Sequence, residues 1–83
     1  IHSGRANWSA AEKALRRGIE KGELREPGQA LVMLGMAQYH QKHYTKAIST
    51  FSRARSHNRV AEISKQWITF IEEEQRKQSM VNS

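Results

Sequence analysis

The chain has 83 residues, enough for one small domain, and it contains no cysteine, which excludes a disulfide framework, a thiolate zinc site and a cysteine nucleophile. Fourteen lysines and arginines stand against eight acidic residues, all of them glutamate, and the formal net charge of +6 makes nucleic acid the first partner to consider. No apolar run approaches the roughly 20 residues of a membrane-spanning helix, so we expect no membrane insertion.

The first predicted helix covers residues 6–21. Ser9 is its candidate N-cap, and Glu12 follows three residues later, which is the spacing of a capping box. One face of this helix is apolar or small and consists of Trp8, Ala11, Leu15, Gly18 and Ile19. Gly22 and the pair Pro27-Gly28 then bracket a short break in the helical pattern.

Two helices joined by a short connection follow this break. The first is predicted over residues 28–42 and carries apolar side chains at helical spacing: Leu31, Val32, Leu34, Met36 and Tyr39. Thr45 is the candidate N-cap of the next helix, and Asn58 suits the left-handed conformation near its end. The apolar stripe of that helix consists of Ala47, Ile48, Phe51 and Ala54.

The last predicted helix covers residues 60–78. It carries a long apolar stripe, which consists of Val60, Ile63, Trp67, Phe70 and Ile71. We expect residues 79–83 to fray as a terminal tail. No segment alternates apolar and polar residues with the period of two that is typical of strands. The sequence therefore predicts an all-α fold of four helices joined by short loops.

A pattern in the chain recurs at an offset of 36 residues. An aromatic residue, an alanine, a large apolar residue and a small residue stand in the same order and spacing: Trp8, Ala11, Leu15 and Gly18, then Tyr44, Ala47, Phe51 and Ala54. Two helices approach closely only where a small residue faces the partner helix, and the large residue fills the next layer. Such a repeat is typical of α-solenoids built from helix–turn–helix units.

The most complete unit, residues 28–58, resembles a tetratricopeptide repeat. The resemblance rests on Leu34-Gly35, Ala37, Tyr39, Tyr44, Ala47-Ile48, Phe51 and Ala54. Two positions depart from the family pattern, because Gln38 stands where an aromatic residue is usual and Arg59 replaces the terminal proline.

The resemblance implies one antiparallel helix–turn–helix solenoid fragment. Its parts would be residues 6–21 as the second helix of a truncated repeat, 28–58 as a complete repeat, 59–78 as a capping helix and 79–83 as a frayed tail. Since the first repeat is incomplete and the chain starts with Ile1, we expect it to be a piece of a longer protein.

Proteins of this family bind extended or helical peptides on a concave face lined by the first helix of each repeat. The matching positions in this chain are Gln29, Val32, Met36, Tyr39 and His40. The resemblance therefore implies a protein–protein interaction module, a scaffold or adaptor with a mainly apolar groove. An alternative stays open, in which the last helix or an upstream repeat covers these side chains.

Positive charge surrounds this expected groove. The stretch 27–61 contains no acidic residue, and its basic residues include Lys42, Lys46, Arg53 and Arg55. In the resembled family the second helix faces outward, so we expect these four cations to lie on the convex side and steer an acidic partner. The aromatic residues Trp8, Tyr44, Phe51 and Trp67 are assigned to packing positions, which disfavours nucleic acid, since single strands stack on exposed aromatic rings.

Two other functions stay open at this point. The basic convex face could bind nucleic acid or another acidic surface. The chain could also be a purely structural segment that self-associates, because a truncated repeat would leave Trp8 and Leu15 at an uncovered edge. In that case we expect a homodimer of the fragment.

Catalysis and metal binding are not expected. His40 and His43 are three residues apart, but the stretch 27–61 offers no acidic residue or cysteine as a third ligand. No serine or threonine stands in a nucleophile motif, and the five glycines form no phosphate loop. The sequence predicts a protein that is not an enzyme and holds no cofactor.

A narrower resemblance concerns the C-terminal part of certain bacterial repeat proteins, some of which are encoded beside TonB-type systems. It rests on Leu24, Pro27-Gly28, Ala30, Leu34-Gly35-Met36-Ala37, Tyr44, Ala47, Gln66-Trp67-Ile68, Glu72 and Glu74. This resemblance implies a periplasmic location for the full protein. Most of these residues are structural, so they indicate lineage rather than function.

Overall fold

A computed structural model describes residues 5–82 of the chain, with the side chains of residues 7–80. Four α-helices follow one another: α1 (Arg5–Lys21), α2 (Pro27–His40), α3 (Tyr44–Ala54) and α4 (Ala61–Asn82). A short 3-10 turn, Asn58–Val60, precedes α4. Residues 5–82 contain no strand, so the predicted all-α fold is confirmed. Within the same residues, none of the helices combines the length and apolar composition that a membrane span requires.

Each helix packs mainly against its neighbours along the chain: α1 on α2, α2 on α3, and α3 on α4. The central helix, α2, also contacts the turn before α4. Because α2 is covered on several sides, its buried residues are spread around the helix rather than along one stripe. They are Gly28, Ala30, Leu31, Val32, Leu34, Gly35, Ala37 and Gln38.

The tightest approach in the core joins α2 to α3. Phe51 of α3 is fully buried, and a Cβ atom added at Gly35 of α2 would lie 2.7 Å from its ring. Ala47 and Ala54, on the same stripe of α3, are also fully buried. The arrangement of small residues around one large residue that the sequence predicts is therefore present in α3. The corresponding α1 residues Ala11, Leu15 and Gly18 are only half-buried.

A buried polar network joins α1, α2 and α3. Gln38 Nε2 donates to Glu12 Oε2 (3.2 Å), and Gln41 Nε2 donates to Glu12 Oε1 (2.7 Å). Thr50 Oγ1 donates in turn to Gln38 Oε1 (2.6 Å). The predicted capping box is wrong, because Ser9 lies inside α1 and the Glu12 carboxylate turns toward α2.

Burial tends to raise the pKa of the Glu12 carboxyl. The hydrogen bonds from Gln41 and Gln38 and the nearby Arg16 and His43 outweigh burial, so the pKa is lowered overall. The carboxylate is therefore stabilised in its ionised form at neutral pH, although only 7% of Glu12 is exposed.

Three other predicted helix ends differ from the structure. Asn58 does not end α3 in a left-handed conformation, because it begins the 3-10 turn and Lys42 is the only described non-glycine residue with positive φ. Thr45 is not the N-cap of α3, because the helix begins at Tyr44 and is preceded by His43, which makes no side-chain capping bond. The expected frayed tail begins too early, because α4 continues to Asn82. Gln78 Nε2 donates to the Tyr44 hydroxyl at 3.2 Å, which ties the last turns of α4 to the start of α3.

The loop between α2 and α3 contains a left-handed residue that the sequence does not indicate. Lys42 has φ +67°, its N–H donates to the Tyr39 carbonyl (2.8 Å), and the His43 N–H donates to the Gln38 carbonyl (2.9 Å). These bonds form a Schellman motif, which usually places glycine at the left-handed position. A Schellman motif also ends α1. There the Gly22 N–H donates to the Ile19 carbonyl (3.1 Å), the Glu23 N–H donates to the Gly18 carbonyl (3.2 Å), and Gly22 has φ +67°.

We expect Lys42→Gly to raise the free energy of unfolding by about 0.5–1 kcal/mol, because glycine adopts positive φ without steric cost. Urea denaturation measures the change. Gly22→Ala is the matched control and should destabilise by a similar amount, since no atom lies within 4 Å of the added Cβ and only the backbone conformation is penalised. A loss of stability in Lys42→Gly would contradict the left-handed turn.

Acid should weaken the polar network. Because the pKa of Glu12 is lower in the folded state, its contribution is present above the pKa of the unfolded chain, near 4.3, and is lost as pH falls through the folded value. We expect the stability of the wild type to fall more steeply below about pH 5 than that of Glu12→Gln. At pH 7, Glu12→Gln should lower the free energy of unfolding by about 1–2 kcal/mol. Urea denaturation across pH tests this, with the exposed Glu73→Gln as control. Parallel pH profiles for wild type and Glu12→Gln would contradict it.

Candidate functional site

One side of α2 is left uncovered by the other helices. Successive residues of a helix are about 100° apart, so positions 29, 33, 36 and 40 lie along one line. Gln29, Met33 and His40 are exposed, and Met36 is half-buried. We call these four residues the open face of α2. Met33 contributes the most apolar surface, with 51% of the residue exposed.

An aromatic cluster borders the open face on the side of α4. Tyr39 of α2 packs against Trp67 and Phe70 of α4, with ring centroids 5.5 and 5.6 Å apart. We call these three rings the aromatic wall. Trp67 also stacks on the buried Phe51 (5.4 Å, 4° between planes), so the wall is anchored in the core. Burial raises the pKa of the Tyr39 phenol, and electrostatic interactions with Glu74 and Tyr44 raise it further. All three favour the neutral phenol.

The wall has an accessible apolar edge. Phe70 is 44% exposed and Ile63, two helical turns earlier, is 46% exposed. Together with Gln66 and Trp67 they line a shallow pocket of about 330 Å³. This pocket lies on α4 and adjoins the aromatic wall, because Trp67 and Phe70 belong to both.

The other border of the open face is Trp8 of α1. Its indole stacks on the imidazole of His40, with centroids 4.3 Å apart and planes 15° from parallel. His40 also contacts the edge of Tyr39 at 5.4 Å. Trp8 therefore packs on His40, and the aromatic surface continues from α1 across α2 to α4.

The structure separates the predicted groove residues into three groups. Gln29, Met36 and His40 lie on the open face. Tyr39 is half-buried and belongs to the aromatic wall. Val32 is the incorrect prediction, because it is only 8% exposed and belongs to the core cluster with Phe51 and Ile71.

The two alternatives that the sequence left open, an accessible groove and a covered one, apply to different residues of α2. The core and α4 cover Val32 and much of Tyr39, while the rest of the face is accessible. Sequence reasoning left Met33 out of the groove and placed Ile63 and Phe70 on a packing stripe, whereas all three are exposed. The position of Met33, four residues after Gln29 and three before Met36, is the signal that could have identified it.

The four predicted basic residues are all exposed but do not form one patch. Lys46 and Arg53 lie on α3 and line a groove that faces α1. Lys42 occupies the left-handed turn after α2, and Arg55 follows the end of α3. Their joint role in steering an acidic partner stays a prediction.

Metal-binding residues do not converge in the part of the chain that the structure describes. No three histidine or glutamate side chains there are placed to hold an ion. His40 is engaged with Trp8, while His43 lies in the connection before α3. Comparison of the chain with family models, curated proteins and solved structures gives no match.

The two α4 rings of the aromatic wall should differ in their structural importance. Phe70→Ala should lower the free energy of unfolding by only about 1 kcal/mol, because nearly half of the residue is already exposed. Trp67→Ala should cost about 3 kcal/mol, because it removes the ring stacked on Phe51. Urea denaturation of both variants measures this difference. Equal losses would show that Phe70 is a core residue and not part of an accessible surface.

Proposed function

We propose that this chain is a protein–protein interaction module that binds a segment of a partner protein along the open face of α2. The observations that carry the proposal are the exposed Met33 beside the half-buried Met36 on α2, and the exposed Ile63 and Phe70 on α4, where Phe70 contacts Tyr39 of α2. Exposed apolar side chains that cluster mark an interaction site more often than scattered ones do.

The chemistry of this surface suits an adaptable apolar contact. Methionine is flexible and polarisable, so Met33 and Met36 adjust to side chains of different shape. The rings of Trp8 and Phe70 supply rigid apolar edges on either side. A surface made of so few side chains supports an interface that buries less than about 1,000–1,200 Å². For an interface of that size we expect micromolar affinity.

The proposed architecture is a tetratricopeptide-like fragment with one complete repeat. Support comes from the packing of each helix on its chain neighbours and from the close approach of Gly35 to Phe51. The departure at Gln38 has a structural role, because this residue connects Glu12 to Thr50. We propose a binding role without catalysis. A homodimer through Trp8 and Leu15, and a link to a TonB-type system in the periplasm, remain predictions.

Selection of binders from a displayed library of random peptides tests this proposal. The selected peptides should bind the wild type and lose at least about tenfold in affinity for Met36→Glu, because a carboxylate would be buried in an apolar contact. Ser52→Glu on the exposed side of α3 adds the same charge elsewhere and should bind as the wild type does. Circular dichroism should show equal helicity for all three proteins.

The same selection defines the opposite outcome. Peptides that bind Met36→Glu and Met33→Glu as tightly as the wild type would place the binding surface away from α2. Failure to select any peptide from a library that yields binders to an unrelated peptide-binding domain would also contradict the proposal.

A further inference from the structure

A second groove lies on nearly the opposite side of α2, between α1 and α3. Its floor includes Leu34 and Gln38 of α2, both buried. On the helical wheel these two residues point about 150° away from the centre of the open face. The groove encloses about 390 Å³, within the range of small binding pockets.

Three of the four charged residues in the walls of this groove are basic. Arg16 and Glu20 stand on α1, and Lys46 and Arg53 stand on α3. We call this the basic groove. Across the described residues, Lys46 and Arg53 make no ion pair within 4 Å, and Arg16 reaches Glu12 only at 3.8 Å. Two cations are therefore available to a ligand, and Glu20 is the acidic residue that opposes one.

We propose that the basic groove binds an acidic segment of a partner protein. The inference is independent of the proposed function of the open face, because the two surfaces share no residue. It requires a partner with at least two carboxylates, placed to meet Lys46 and Arg53.

The spacing of the cations favours several anionic groups over one. Lys46 and Arg53 are seven residues apart on α3, which corresponds to about 10.5 Å along the helix axis. In an extended chain, two carboxylates on the same side stand two or four residues apart, at about 6.6 or 13 Å, and the long side chains of Lys46 and Arg53 reach either spacing. A single phosphate would require both side chains to converge on one point, whereas two carboxylates can each meet one cation.

The lining of the groove favours a protein over a nucleic acid. Its described lining residues include no aromatic side chain. The rings of Trp8, Tyr39, Trp67 and Phe70 contact one another or His40 on the other side of α2. Without rings on which bases stack, a single-stranded nucleic acid would have only its phosphates to contribute.

The groove is held in shape before any ligand arrives. Thr50, in the α3 wall, donates to Gln38 in the floor, and Gln38 donates to Glu12 of α1. These bonds connect the two walls through the floor of the groove. When a groove already has its bound shape, less of the binding free energy is spent on ordering its side chains.

The experiment measures fluorescence anisotropy of a labelled peptide of eight glutamates with the whole chain, at about 50 mM NaCl, where screening is moderate. Lys46→Gln and Arg53→Gln should each weaken binding by about fivefold or more. Lys65→Gln and Arg76→Gln, exposed cations on α4, make the same change in net charge and should weaken it less than about twofold. Glu20→Gln should strengthen binding, because it removes the opposing charge.

Three results would overturn the proposal. The first is an equal loss in the α4 control variants, which would show that only net charge matters. The second is tighter binding of a single-stranded octanucleotide that depends on Lys46 and Arg53, which would favour nucleic acid. The third is displacement of the peptide by about 5 mM inorganic phosphate at matched ionic strength, which would indicate a single-anion site. Circular dichroism on every variant keeps these results separate from misfolding.

Discussion

The close approach of α2 to α3, where Gly35 faces the ring of Phe51, is the contact on which the rest of the structure depends. A side chain at position 35 would overlap the ring, because even a Cβ atom would lie 2.7 Å from it. Because Gly35 has no side chain, α2 packs closely against its neighbouring helices. As a result α2 exposes only a narrow open face on one side and forms the floor of the basic groove on the other. Both candidate surfaces are therefore consequences of how deeply this helix is set.

Local patterns predicted the helices and the centre of the core, because both depend on residues close together in the sequence. Helical spacing identified the stripe of Ala47, Phe51 and Ala54, and small residues at fixed positions indicated close packing. The role of Glu12 could not be predicted in this way. A glutamate three residues after a serine fits a capping box equally well, and its real donors, Gln38 and Gln41, lie 26 and 29 residues away. Only the docked helices distinguish these two roles.

The candidate surfaces were predictable to a smaller extent for the same reason. Whether Val32 or Met33 is exposed depends on where α4 comes to rest, and α4 is positioned by long-range contacts such as Trp67 on Phe51. The acid-free stretch 27–61 drew attention to Lys46 and Arg53, which the structure places in one groove. The groove itself needs Arg16 from α1, which lies outside that stretch. Charge counted along the sequence shows where cations are abundant, whereas a binding groove depends on which helices bring them together.

The packing of each helix on its neighbours along the chain also has a kinetic consequence. The interface between α2 and α3 forms by closing a connection of only three residues, and the one between α1 and α2 by closing five. Short loops cost little entropy to close, and chains with mostly local contacts fold quickly. The chain should therefore reach its folded state without a slow search for distant partners, and the Glu12 network would form late, once all three helices it joins are docked.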